Sequence, residues 1–132
     1  MTYGAAAALQ AALFSRLSAL PELQGIPVLD AVTKGRRTGT FVLIGEEDVR
    51  DQSDKSGMGA EHRLTVSIVS DAAGFLLAKE KAMAISDAMA LDLPPLSRGR
   101  VVGIWFLRAV ARRLDEGRIG RIDLTFRARV ED

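Results

Sequence analysis

Leucines stand at positions 9, 13, 17 and 20, spacings of four, four and three that place them on one side of a helix. The periodicity predicts a first helix over about residues 3–20, stopped by Pro21, which disfavours helical backbone at the residue before it. Gly25 and Pro27 then break the chain, and IPVLDAV (26–32) reads as a short extended segment. KGRRTGT (34–40) is a polar, basic loop. From Phe41 the pattern shifts towards period two, with strands expected at FVLIGEEDVR (41–50) and HRLTVSIVS (62–70). In the second of these His62, Leu64, Val66 and Ile68 share one parity, and Arg63, Thr65 and Ser67 the other. Ala78, Ala82, Ile85 and Met89 return to helical spacing and predict a second helix over about 72–91. Asp71 is its expected N-cap, and Pro94-Pro95 stops the segment.

The last third reads as a hairpin. RVVGIWFLRAVARRL (100–114) is rich in β-branched and aromatic residues, and Asp115-Glu116-Gly117 supplies the turn. In RIGRIDLTFRARVE (118–131), Ile122, Leu124, Phe126, Ala128 and Val130 face one side. Arg121, Asp123, Thr125, Arg127, Arg129 and Glu131 face the other. The order α-β-β-β-α-β-β, without internal repeat or long linker, predicts a single α+β domain over residues 1–132. The expected architecture is a mostly antiparallel sheet with both helices on one face.

Composition narrows the chemistry. A chain of 132 residues is one domain in length, and 48% hydrophobic content is enough for a core. It has no cysteine, so disulfides, thiolate nucleophiles and thiolate metal sites are excluded. The only cationic residue near the N-terminus, Arg16, follows the apolar stretch, which reads as a mature helix rather than a signal peptide. No run approaches the ~20 apolar residues of a membrane-spanning helix, so no membrane partner is expected. The net charge of +1 is unevenly spread: residues 41–61 carry six acids against two bases, and residues 98–132 nine bases against five acids.

VRDQSDKSGMGAEHRLTV (49–66) gathers two aspartates, a glutamate and the single histidine around two glycines. A metal or acid–base site needs converging ligands, and His62 is turned by its strand parity towards Leu64 and Val66. The calcium-loop spacing is absent, and no G-x-S-x-G elbow makes a serine nucleophile. The stretch therefore reads as the bend of a hairpin, and no catalytic, metal or cofactor-binding residue is assigned. KGRRTGT lacks the ending of a phosphate-binding loop and leads into a strand, not a helix. The arginines of the terminal hairpin form the sharpest feature: Arg108 and Arg112 share one parity, Arg127 and Arg129 another. They suit phosphates, a solvated face, or the acidic region of a second copy. No aromatic residue is expected among them, which speaks against base stacking.

YGAAAALQAALFSRL, FVLIGEEDVRD with AEHRLTVSIVSD, GFLLAKEKAMAISDAM and the closing RIDLTFRARVED together resemble one family over almost the whole chain. It is that of the tail-completion, or tail-terminator, proteins of tailed phages and alphaproteobacterial gene transfer agents. The resemblance implies a non-enzymatic structural protein without cofactors. Its copies would form a homo-oligomeric ring, expected to be a hexamer, at the head–tail junction of a phage-like particle assembled in the bacterial cytoplasm. The ring would cap the tail tube, stop its growth and meet the head–tail connector, with DNA at most transient in its channel. Glu46, Asp48 and Arg50 share a strand parity and are expected to face Arg108, Arg112, Arg127 or Arg129 of a neighbouring copy. The alternative is a small nucleic-acid or protein-binding module that uses the basic hairpin as a monomer.

Overall fold

A computed structural model describes residues 3–30, 38–55, 57–91 and 93–132. Its elements are α1 (Ala6–Ser18), β1 (Val28–Leu29), β2 (Thr40–Asp51), β3 (Gly59–Ser70), α2 (Leu76–Met89), β4 (Arg100–Leu114) and β5 (Ile119–Glu131), with one 3-10 turn at Pro21–Leu23. The expected order α-β-β-β-α-β-β is the one observed.

The five strands form one sheet in the order β1-β2-β3-β5-β4. β1 lies parallel to β2 through only Val28↔Val42 and Leu29↔Leu43. All other pairings are antiparallel. β5 is therefore flanked along its length by β3 and β4, and its alternating sequence becomes an alternating pattern of burial. Both helices pack on the same face. Leu9, Leu13 and Leu17 of α1 and Ala78, Ala82, Ile85 and Met89 of α2 join Val42, Ile44, Leu64, Val66, Ile68, Ile122, Leu124 and Phe126 in one apolar cluster. Leu13 is wholly shielded from solvent. Leu13→Ala should lower unfolding stability by about 2–5 kcal/mol, the usual cost of lost burial plus a residual cavity, measurable by denaturant titration.

Several element boundaries differ from those expected, for local reasons. α2 begins at Leu76, not Ala72, because Gly74 takes φ +72, a left-handed conformation that interrupts a helix. Asp71 does not cap it. The carboxylate of Asp71 instead accepts the amide of Gly39 at 2.8 Å, and α2 has no side-chain cap. The expected segment 26–32 is a strand only at Val28–Leu29. Its residues 31 and 32, and the first four of KGRRTGT, lie outside the described residues. The β4–β5 turn forms where expected, with Asp115, Glu116 and Gly117 all at positive φ.

Bulges carry the less expected features. β2 slips register between Ile44 and Glu47, and β4 slips between Val101 and Gly103 and again between Phe106 and Arg108. Each slip exchanges the faces of the residues that follow it.

Candidate functional site

The glycine-containing stretch that suggested chemistry is the connection between β2 and β3. His62 is 1% exposed and opposite Ala128 on the helix-covered face, with Nδ1 3.1 Å from Glu47 Oε2. The Asp51 carboxylate accepts the Ser53 hydroxyl at 2.6 Å, a bond that holds its pKa below the ordinary value. Asp54 accepts the Gly57 amide at 3.1 Å and so shapes the tip of the turn. Glu61 points to the other face of the sheet, with Arg63 Nε at 3.3 Å and Arg127 Nε at 3.7 Å. The side chains diverge, and no group of three or more among the described residues could hold a metal ion. The stretch is a hairpin bend.

The face of the sheet without helices is the more distinctive surface. Register places Asp48, Arg63, Arg127 and Trp105 in one row across four strands, and Arg50, Glu61, Arg129 and Gly103 in the next. A third row holds Ser67, Asp123 and Val110. Asp123 accepts the Ser67 hydroxyl, Arg121 Nε at 2.8 Å and Arg112 Nη2 at 2.8 Å. Burial pushes its carboxyl up, but the bonds from Ser67 and Arg121 and the charges of Arg121 and Arg112 outweigh burial and hold it below the ordinary value. A carboxylate with a depressed folded pKa adds stability above its unfolded value, near 3.9, that is lost as pH falls through the folded one. Asp123→Asn should therefore cost about 1–3 kcal/mol at neutral pH and flatten the acid limb below about pH 4, read from denaturation midpoints between pH 2 and 7.

The structure sorts the seven residues singled out from the sequence. Arg108 and Arg112 lie on β4, the outermost strand, opposite Thr125 and Arg121. Arg127 and Arg129 lie one strand inward. Arg129 donates to Gln52 at 2.9 Å, and Arg127 stacks on Trp105, its guanidinium carbon 4.7 Å from the ring centroid. Asp48 and Arg50 are on the same helix-free face and pair with each other at 3.2 Å. Glu46 does not share their ladder, because the bulge after Ile44 leaves it without a register partner. Arg108 has no ion pair or side-chain hydrogen bond among the described residues.

Trp105 corrects an expectation. The second β4 bulge reverses the parity of Arg108 relative to Trp105, so an aromatic residue does share the basic face. A Cβ on Gly103 would lie 2.9 Å from the indole, so the ring rests in the space that the missing side chain leaves. Trp105 is 44% exposed, but Arg127 stacks on its ring. The ring is thus already engaged as a stacking platform for the guanidinium. The signal available in the sequence was the G-x-W spacing inside an apolar run that does not alternate.

Among the described residues two strand edges lack a backbone partner. No backbone partner among the described residues covers the outer side of β4 over its 15 residues. Val102, Trp105, Phe106, Leu107 and Leu114 are exposed along it. Between this edge and the segment after α2 runs a groove of about 790 Å³, lined by Leu91, Leu93, Pro94, Val102 and Trp105 among others. At the opposite end of the sheet β1 pairs with Val42 and Leu43, and no other strand among the described residues pairs with the outer side of Ile44–Asp51 of β2. No helix among the described residues is long and apolar enough to cross a membrane.

The family model described as "Tail completion protein gp17" matches residues 11–131. A chain in the structure titled "Virion of native gene transfer agent (GTA) particle" is 53% identical over 99% of this chain and 100% of that chain, with a TM-score of 0.88. No curated protein matches.

Proposed function

We propose that this chain, which belongs to the tail completion protein gp17 family and is a structural tail protein, closes with copies of itself into a ring that caps the tail tube. Such a ring ends tube growth and joins the tail to the connector beneath the head. The observation that carries this reading is the pair of sheet edges, one acidic and one basic, left without a backbone partner among the described residues at opposite ends of a single sheet. Unlike surfaces on opposite sides of one subunit make a head-to-tail contact, which closes into a ring when its rotation allows. Six copies is the expected number.

Glu46, Asp48 and Arg50 on one side and Arg108, Arg112, Arg127 and Arg129 on the other form the proposed subunit contact. Arg108 and Arg112 are nearest to the neighbour, and Arg127 and Arg129 stand behind them. One surface of the ring adds to the last layer of tube protein, and the other differs enough that no further layer is templated. The role is structural and non-enzymatic, at the head–tail junction, with DNA passing the channel during delivery. A monomeric nucleic-acid module gains little support, since Asp123, Glu61 and Trp105 engage Arg112, Arg121 and Arg127 within the chain.

Adding the purified chain to tube protein under polymerising conditions tests the proposal. Shorter tubes with a ring at one end are expected. Tubes of unchanged length and bare ends would refute it.

A further inference from the structure

Resting on the ring proposed above, we infer that the edge of β4 takes as its neighbouring strand the next copy's β2, along Ile44–Asp51, where no strand among the described residues pairs with its outer side. The five-stranded sheet then runs on from subunit to subunit. An exposed strand edge offers unpaired N–H and C=O groups, and natural proteins either blunt it or use it for pairing. Here the longest strand of the molecule is an edge strand with several apolar side chains exposed.

Strand direction fits the pairing. β2–β3, β3–β5 and β5–β4 are each antiparallel, so β2 and β4 of one copy point in opposite directions. Rotation about an axis roughly along the strands brings the next copy's β2 beside β4 in antiparallel fashion. Facing is preserved as well. Asp48 and Arg50 of β2 and Arg108 and Arg112 of β4 lie on the same helix-free face, so a continued sheet makes them cross-strand neighbours, ~5 Å apart between Cβ atoms.

Charge selects this partner over the symmetric alternatives. Pairing β4 with another β4 brings Arg108, Arg112 and Arg113 against their own copies, and β2 with β2 does the same for Glu46 and Asp48. Only the unlike pairing sets exposed acids against an arginine, Arg108, that has no partner within its own chain among the described residues. The apolar exposure of Val102, Trp105 and Leu107 along the edge would be covered by the same strand.

The chain has no cysteine, so introduced thiols report cleanly. Asp48→Cys combined with Arg108→Cys, Asp48→Cys with Arg112→Cys, and Arg50→Cys with Arg108→Cys sample neighbouring registers. Under oxidising conditions at least one pair should give a ladder of covalent multimers, while each single variant gives dimers at most. As a check free of substitutions, amide exchange in residues 44–51 and 100–114 of the unaltered chain should slow at least tenfold between dilute protein and ring. Normal rings with no ladder and no added protection would overturn the edge pairing and leave the ring standing. Absence of any ring, in particles or in concentrated protein, would overturn both.

Discussion

Arg108→Glu is expected to leave the folded chain intact and to weaken ring formation by at least tenfold. The side chain is exposed on an edge strand, and no hydrogen bond or ion pair within its own chain is lost among the described residues. A surface substitution of that kind normally changes stability by no more than about 0.5 kcal/mol. In the proposed contact with a neighbour's Glu46 and Asp48, however, it would replace attraction with repulsion, and every joint of the proposed ring would carry the same defect. Asp48→Arg in the same chain should restore part of the assembly. Its intramolecular cost is small, because the Asp48–Arg50 pair that it removes is exposed on both sides. Sedimentation or mass measurement of the single and double variants, with thermal midpoints alongside, reads the effect. Loss of assembly without any rescue, in chains that remain folded, would sink the acid–base pairing.

Trp105→Ala should weaken the same contact by about 2–4 kcal/mol per joint, the range for a buried aromatic anchor in a protein interface. The ring is held in place before any partner arrives: it lies over the bare Cα of Gly103 and under the guanidinium of Arg127. A side chain already fixed loses little entropy on binding, which is what makes it an effective anchor. Gly103→Ala is the companion variant. A methyl group there would meet the indole at 2.9 Å and displace it, so assembly should weaken although Trp105 is still present. Equal assembly of both variants and the parent would show that this tryptophan is not at a joint.

The alternating strands were legible in the sequence because each has one buried face. Every even position of β5 from Ile122 to Val130 is in the core, as its alternation required. Leu9, Leu13 and Leu17 are likewise buried as their spacing demanded. The placement of β5 between β3 and β4 was not legible, since a β3–β5 pairing across fifty residues or more leaves no local mark. Nor were the bulges. An extra residue reverses every face that follows, and neither the β2 slip nor those of β4 is announced by more than a nearby glycine, Gly45 or Gly103. That is why Trp105 was missed on the basic face. Asp71 shows a third limit: its local role as a cap lost to a bond with the amide of Gly39, thirty-two residues away. The basic hairpin and the acidic segment were evident from charge alone, but which arginines are held within the chain and which face outwards depends on tertiary neighbours.

The most direct measurement of the central claim is electron microscopy of particles from cells that lack this chain, with tail length and head attachment scored. Capping by a ring predicts overlong tails and tails without heads, both corrected when the unaltered chain is supplied again. Headed tails of ordinary length in its absence would contradict it.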